Sequence, residues 1–576
     1  MYRKNQRVQQ PLLVSHVNEL PERTLKVLKN SWAETFRSEV FGQIQEDRFE
    51  VLYADCPSRP NVAVNVLVGL EILKGMRGWS DEELYEHFVL DVQVRYALCC
   101  DNFGEGDFDL RTLYNFRRAL SQYALSSGEN LMQVTFADIT DAQIQKLGIK
   151  TDIQRMDSTD IASNIADLSR LELLITVIQR LHRMLSETDQ TRYAQQFGPY
   201  LKQGAGQYTY RLKGKEAVWA EIQRVGEVLA ALLVQLKGDY EKEAIYATAQ
   251  RFFDENFLVI ESGVKAKQNH EISAGCLQSV DDLEASYRVK NQHAHKGYVA
   301  NVAETANPAN PVQIVTSLSA APNRTSDQEL LKQDVPTIQS RMELTQLVND
   351  GEYAGPSVDQ VLRERHIAQI SSALTGTLPD RSAGQLVMAD FEMQLNEPGD
   401  VIAATCPAGQ VAAISTSLKG QSFRLSFDLP TCLACPLAAH CPIRTNPKKK
   451  SAWLSVPRDR AASSQRRRRF ERTKEEARQL RPAVEATMFQ LKHKFPQAKV
   501  LVRGLFRVTN VLLCAALALN VRRIHRFFHG KQRGKFTKDQ LYSSDSSPLA
   551  SIFTFFKPPW QSLLGFTCTF RPLFSC

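Results

Sequence analysis

Apolar residues recur at helical spacing through most of the first 150 positions. The stretch from Val62 to Met76 is apolar enough for a buried helix, and Ser80 with Glu83 has the pattern of a capping box at the start of the next one. A further helix is predicted from Leu110 to Leu120. Together these patterns predict an N-terminal all-helical domain over residues 1–150.

Strand-like patterns begin after this helical region. The run from Ile153 to Met156 leads into Asp157, and the run from Leu344 to Val348 ends just before Asp350. Between them, residues 281–302 read as a pair of strands. Such runs, mixed with helical segments, predict an α/β core in which each aspartate ends a short strand.

The last third of the chain has a longer helical pattern. From Phe470 to Phe495, apolar residues recur every three, four or seven positions, which predicts one long amphipathic helix. Arg478, Arg481, Glu485 and Lys492 are spaced by three, four and seven residues, so they form a polar row beside the apolar stripe. Taken alone, such a row also fits a solvated helix face with an ordinary Arg–Glu pair.

The three acids in this order resemble the catalytic set of DDE-type insertion-sequence transposases. Asp157 opens an Asp-Ser-Thr run, as the first acid of that family often does, and Asp350 stands in a run similar to the family's turn after its fourth strand. Arg481, Glu485 and Lys492 match three positions of the family's Tyr-x2-Arg-x3-Glu-x6-Lys signature. The chain departs from the signature at the tyrosine, where it has arginine.

This resemblance implies an RNase H-like fold and metal-dependent phosphoryl transfer on DNA. Attack on a phosphodiester builds up negative charge, which two Mg²⁺ or Mn²⁺ ions about 4 Å apart can offset while carboxylate oxygens hold them. The resemblance assigns these ions to Asp157, Asp350 and Glu485, with Asp157 bridging the pair. It also implies that Arg481 and Lys492 position DNA phosphates, and we expect Arg478, in the same polar row, to bind phosphate as well.

Four cysteines form a second group with informative spacing. Cys432 and Cys435 are separated by two residues, Cys441 follows, and Cys406 precedes them. Four thiolates at such spacing predict a tetrahedral structural zinc site in a small β module, and the module resembles the cysteine-bearing insert of one transposase subgroup. His440 is an alternative fourth ligand, and free thiols on a loop are the alternative to a metal site.

The predicted helix from Leu110 to Leu120 carries Arg117 and Arg118 on its outward side. This region resembles the N-terminal domain of the same transposases, which implies that its basic helix binds the terminal repeats of the element. Solubilisation of a helical bundle is the alternative role for these arginines.

Two inserts are predicted to interrupt the core. Residues 161–275 show leucine stripes at helical spacing and no strand-like alternation of comparable length, which predicts a helical hairpin or small bundle. The second insert is the cysteine-bearing module. Residues 303–330 and 454–465 are polar and are predicted to be loops.

Composition narrows the function classes further. The net charge of +8 and the sequence pI of about 8.8 suit an anionic partner without identifying one, but four basic clusters in the last third favour contact with phosphates. The N-terminal ten residues lack the apolar stretch of a secretory signal. The apolar run from Val511 to Val521 is shorter than the ~20 residues of a membrane span and is predicted to be a buried helix.

We therefore expect a cytoplasmic, nucleoid-associated transposase of a bacterial insertion sequence, with no membrane contact, acting on DNA as a homodimer or higher oligomer. A catalytically silent DNA-binding derivative and a two-metal nuclease without strand transfer are the alternatives. The resemblance covers most of residues 40–525. The predicted division is a helical DNA-binding domain (1–150), an RNase H-like core (151–160, 276–375 and 466–530), a helical insert (161–275), a zinc-stapled β insert (376–465) and a poorly ordered tail (531–576).

Overall fold

The computed structural model describes residues 2–5, 7, 14–54, 61–202, 204–261, 263–290, 292–374, 384–417, 420–496 and 499–533. The chain divides into two units, Met1–Ile524 and His525–Cys576. Of the second unit only the end of a helix is described, so the predicted tail lies outside the described residues beyond position 533.

The described part of the first 150 residues is helical, as predicted. Their helices are α1 (Glu22–Lys29), α2 (Trp32–Glu39), α3 (Val64–Arg77), α4 (Asp81–Leu90), α5 (Val92–Ala97), α6 (Arg111–Ser127) and α7 (Leu131–Leu147). The predicted capping box is present at the start of α4, where Ser80 and Glu83 satisfy each other's backbone N–H groups. The helix predicted to end at Leu120 continues for seven more residues, until Gly128 ends it at a φ of 76°.

One mixed sheet forms the centre of the molecule. Its strands are β1 (Ile153–Ala162), β4 (Ser286–Lys290), β5 (His293–Thr305), β6 (Val315–Pro322), β7 (Gln346–Asn349) and β8 (Ala368–Ser371). The strands β6, β5 and β1 are antiparallel neighbours, whereas β7 and β8 continue the sheet parallel to β1. The short strand β4 pairs with the beginning of β5. Helices α14 (Asp327–Arg341) and α15 (Pro356–Glu364) connect the later strands.

The predicted helical insert contains six helices and, unexpectedly, a β-hairpin. The helices are α8 (Arg170–Met184), α9 (Glu187–Arg192), α10 (Ala194–Leu201), α11 (Ala205–Tyr210), α12 (Lys215–Tyr240) and α13 (Ala244–Asn256), followed by strands β2 (Phe257–Ile260) and β3 (Gly263–Ala266). The expectation of helices without strands was wrong here, because the run Phe257–Ile260 is uniformly apolar and has no alternation to signal a strand. Phe257 packs into the core of the insert.

Two segments predicted to be loops are regular structure. Residues 303–330 include the end of β5, all of β6 and the start of α14. Residues 454–465 lie in β14 (Ser451–Pro457) and α17 (Arg458–Leu480). Both predictions were wrong because pairing with other elements decides the structure: β6 pairs with the preceding strand β5, residues 454–457 pair with strand Ser422–Phe427, and Gln465 of α17 donates to the backbone carbonyl of Phe391.

The cysteine-bearing segment is a small β module, as predicted. Its further elements are β9 (Glu392–Leu395), β10 (Val401–Thr405), β11 (Ala413–Thr416), β12 (Ser422–Phe427), α16 (Leu429–Leu433) and β13 (Arg444–Asn446). Strands β11, β12, β14 and β13 form a four-stranded antiparallel sheet, and β9 pairs with β10.

The single helix predicted from Phe470 to Phe495 is two helices, α17 and α18 (Pro482–Lys492). They meet at Arg481, which keeps helical backbone angles. Pro482 has no N–H to donate to the preceding turn, so the regular hydrogen-bond ladder is interrupted at this point. The prediction of one continuous helix was therefore wrong, because Pro482 interrupts it.

The last helix, α19 (Leu505–Arg533), contains the predicted buried segment Val511–Val521. Among the described residues, Leu505–Gly530 is the one stretch that is long and apolar enough to cross a membrane, with a mean hydropathy of 1.4 over its most apolar window. Two thirds of that window is buried inside the protein, as in the core helix of a globular fold. Up to Val521, its side chains share one hydrophobic core with the N-terminal helices, the sheet and α18.

Candidate active site

Asp157 and Asp350 lie next to each other at the parallel junction of the sheet. Arg155 of β1 pairs with Val348 of β7, and each aspartate stands two residues beyond its paired residue. Asp157 accepts a hydrogen bond from the backbone N–H of Ser158 at 2.9 Å. Asp350 follows β7 and is therefore at a strand end as predicted, whereas β1 continues past Asp157 to Ala162 because β5 still pairs with it.

Arg481 joins the second and third acids. Its Nη2 lies 3.5 Å from Oδ2 of Asp350 and 3.3 Å from Oε1 of Glu485, so these two carboxylate oxygens are within about 7 Å of each other. Its Nη1 donates to the hydroxyl of Ser372 at 2.9 Å. Arg481 lies at the junction of α17 and α18, and its contacts place Glu485, in the first turn of α18, close to Asp350.

The charges of these groups act on one another. Burial raises the pKa of Asp157 to about 6, and the neighbouring carboxylates of Asp350 and Glu485 act in the same direction, while Arg481 opposes the shift. All three predicted acids therefore share one electrostatic environment. Glu485 is the most exposed, with 55% of its side chain accessible, against 19% for Asp350.

The predicted basic residues of this row divide into two kinds. Lys492 is close to the acids: burial lowers its pKa, Asp160 and Asp157 oppose that shift, and Lys290 adds to it. Arg478 lies apart from them, since its exposed guanidinium pairs with Glu475 at 2.9 Å. The structure thus brings Arg481 and Lys492 to the acids and leaves Arg478 on the outer face of α17.

A second group of polar residues, which sequence patterns did not reveal, surrounds Asp157. The hydroxyl of Ser158 bonds Asp327 at 2.9 Å, and the pKa of Asp327 is raised to about 6, chiefly by burial and then by a hydrogen bond with Glu352. Arg288 lies 3.8 Å from Asp327 and 3.5 Å from Glu352. In the sequence, Asp327 is recognisable only as the residue after Ser326, which caps α14. This position does not predict its contact with Ser158 on β1.

The two arginines predicted on the N-terminal helix also differ. Arg117 is engaged inside the protein, where it bonds Glu71 and Asp81, each at 2.7 Å. These carboxylates outweigh its burial and raise its pKa above the ordinary arginine value. Arg118 is exposed at the next position of α6. The predicted outward orientation therefore fits Arg118, whereas the guanidinium of Arg117 is already paired.

The four cysteines line one common cavity of about 70 Å³. Their thiols influence one another: burial raises the pKa of Cys432, and Cys406, Cys441 and Cys435 raise it further. His440, the alternative fourth ligand, is exposed and is not part of this lining. Hydrogen bonds through Gln410 connect Cys406 and Cys432.

Neither the acids nor the cysteines stand as a formed metal site. Across the described ranges, no three or more His, Cys, Asp or Glu side chains are arranged to hold a metal ion. Zinc binding by the cysteines therefore has no support from the side-chain geometry and rests on spacing and the shared cavity. At the acids, the guanidinium of Arg481 is what joins Asp350 to Glu485.

A family model described as a transposase DDE domain matches residues 405–525, a segment that contains α17, α18 and most of the cysteine module. Neither the curated proteins nor the solved structures yield a match.

Proposed function

We propose that this chain, a DDE-type transposase by the domain matched in residues 405–525, moves an insertion sequence by cleaving DNA at the element ends and joining those ends to target DNA. The observation that carries this proposal is the convergence of Asp157, Asp350 and Glu485. Arg481 contacts Asp350 and Glu485. Arg481 and these two carboxylates all act on the pKa of Asp157. Residues from three distant parts of the chain meet at one end of the sheet.

The order of strands in the sheet supports an RNase H-like core. Three antiparallel strands, β6, β5 and β1, are followed by the two parallel strands β7 and β8. The first acid lies on the central strand and the second directly follows its parallel neighbour. The carboxyl ends of parallel strands are where such sheets bind ligands, so the acids lie where an active site is expected.

The donor set of the acids suits a divalent cation. All three are carboxylates, the ligands that Mg²⁺ and Mn²⁺ prefer, and burial, followed by repulsion from Asp350 and Glu485, raises the pKa of Asp157 to about 6. Asp157, Asp350 and Glu485 would hold such ions. When bound, they supply charge stabilisation at the reacting phosphate.

The basic residues at the site would hold the DNA. The side chain of Arg481 is 27% exposed, so the accessible part of its guanidinium can donate to a phosphate oxygen. Lys492 adds a cation close to Asp157. Both are suited to orienting a phosphodiester against the carboxylates.

DNA is accordingly the proposed partner, both as terminal repeats and as target. Since two element ends must be joined, we propose a homodimer or higher oligomer assembled on DNA. A cytoplasmic, nucleoid-associated location without membrane contact fits this substrate.

The decisive experiment compares Asp157→Asn, Asp350→Asn and Glu485→Gln in the full chain. The substrate is a plasmid that carries the encoding element with its flanking DNA. Each substitution should abolish excision of the element and joining of its ends to target DNA, while the protein still binds the plasmid. Glu475→Gln is the matched control, because this exposed glutamate lies on α17 and pairs only with Arg478 among the described residues. Full excision by any of the three variants would contradict the assignment.

The same experiment separates the alternatives. If the protein is a silent DNA-binding derivative, the unmodified chain will bind the plasmid without cutting it. A two-metal nuclease would cut it but form no joined products.

A further inference from the structure

Glu304, on β5, is the most deeply buried charge near the site. Its side chain is fully buried, and it accepts hydrogen bonds from Nε of Arg155 at 2.6 Å, Nη1 of Arg523 at 2.7 Å and the hydroxyl of Thr487 at 2.8 Å. Burial raises its pKa, but Arg523 and Arg155 outweigh this and keep the pKa below its usual value. A buried carboxylate so well paired has a fixed position, because moving any partner would leave charge uncompensated.

Each partner comes from a part of the chain that bears on the site. Arg155 precedes Asp157 by two residues on β1, and Thr487 follows Glu485 by two residues on α18. Arg523 belongs to α19 and also donates to the hydroxyl of Thr487 at 2.5 Å. The network therefore links the strand of the first acid to the helix of the third.

Arg155 makes one more contact, at the junction of α17 and α18. Its Nη1 donates to the backbone carbonyl of Leu480 at 3.1 Å. The backbone N–H of Val484 donates to Arg481 rather than to Leu480, in the short turn next to Pro482. The interruption of the helical ladder thus leaves the Leu480 carbonyl for Arg155.

We infer that Glu304, Arg155, Arg523 and Thr487 form a positioning network that fixes the junction of α17 and α18 and so sets the carboxylate of Glu485 against Asp157 and Asp350. The network holds the chain on both sides of this junction, at Leu480 and at Thr487. The hydrogen bonds of the network go to one another and to backbone carbonyls, including that of Leu480, and not to the three acids, so its members are positioning residues and not catalytic ones. The inference rests on the proposed function, since it gives Glu485 its role.

The test uses Thr487→Val in the full chain, measured by Mn²⁺ titration with calorimetry. Valine keeps the shape of threonine but removes the hydroxyl that ties α18 to Glu304. Partners behind metal ligands typically change affinity by about tenfold or more, so we expect Mn²⁺ binding to weaken by about tenfold. Thr487→Ser restores the hydroxyl and should restore the affinity.

Thr135→Val is the matched control. Thr135 is also buried in a helix, and its hydroxyl bonds only a backbone carbonyl, that of Leu131, among the described residues. It should lose a similar amount of thermal stability and keep the Mn²⁺ affinity of the unmodified chain. A purely structural role for Thr487 would make the two valine variants behave alike.

The outcomes distinguish the inference from the proposed function. Unchanged Mn²⁺ affinity in Thr487→Val, with lost affinity in Glu485→Gln, would overturn the network and keep the metal site. The metal site of the proposed function would be overturned if the unmodified chain bound no Mn²⁺, or if Glu485→Gln bound Mn²⁺ with the same affinity. The role of the network would fall with it.

Discussion

Asp157 and Asp350 stand side by side because each follows, by two residues, a paired position on the neighbouring parallel strands β1 and β7. The carboxylates of Asp350 and Glu485 repel that of Asp157 and raise its pKa. The folded chain therefore carries a local electrostatic cost at the place where the reaction is proposed.

Asp157→Asn should stabilise the protein at neutral pH. The folded pKa of about 6 lies above the ordinary value of 3.8, so the folded state holds a proton that the unfolded state has lost between these two pH values. This group therefore makes the unmodified chain less stable as pH rises from about 4 to about 6, and the cost stays constant above that. A shift of this size corresponds to at most about 3 kcal/mol.

The measurement is the difference in unfolding free energy between Asp157→Asn and the unmodified chain across pH 4 to 8. The difference should grow through pH 4 to 6 and then level off. Asp167→Asn is the control, since Asp167 is almost fully exposed. A difference that does not vary with pH would show that Asp157 titrates normally.

Replacement of Arg481 should change the pH dependence of the site. Arg481 opposes the raised pKa of Asp157, so Arg481→Ala should raise that pKa further and shift metal-dependent cleavage to higher pH. Arg481→Lys keeps the charge but cannot match the geometry of a guanidinium that contacts Asp350, Glu485 and Ser372. We expect it to keep the pH profile and to lose rate, as pH-rate profiles of both variants would show.

The two arginines of α6 should separate stability from DNA binding. Arg117→Ala leaves Glu71 and Asp81 without their shared partner and should lower the free energy of unfolding by up to about 3 kcal/mol. Arg118→Ala should leave stability within about 0.5 kcal/mol, because the residue is exposed.

If α6 contacts DNA, the loss of Arg118 should weaken binding at low salt and reduce the slope of log affinity against log salt concentration by about 1. Glu129→Gln, in the loop after α6, is a control for changes in surface charge. Equal salt slopes for Arg118→Ala and the unmodified chain would remove Arg118 from the interface.

Zinc content is a direct test of the cysteine module. The spacing of Cys406, Cys432, Cys435 and Cys441 and their common cavity lead us to expect about one zinc ion per purified chain. Serine at any of the four should reduce the zinc content and lower the melting temperature. The control is Cys276→Ser, because Cys276 lies outside the cavity lining. Metal-free protein with an unchanged melting temperature would leave the cysteines as free thiols.

Part of this protein is determined by sequence alone. The residue types and spacing of Arg481, Glu485 and Lys492 suffice to place a carboxylate one helical turn from a cation, because helix periodicity fixes which side chains are neighbours. The capping box at Ser80 and the buried helix at 511–521 follow from local patterns for the same reason. The pairing of strands in 281–302 was also predicted correctly from local alternation.

Only the tertiary structure decided how these pieces combine. Contacts with residues far along the chain bring Arg155 to the backbone carbonyl of Leu480 and place Arg117 among carboxylates. Polar segments became β6, β14 and the start of α17 because β5, β12 and the backbone of Phe391 satisfy their hydrogen-bonding groups. Sequence periodicity reports the faces of single elements, whereas ion pairs and sheet pairing between distant residues depend on where the whole chain folds, and no local pattern encodes them.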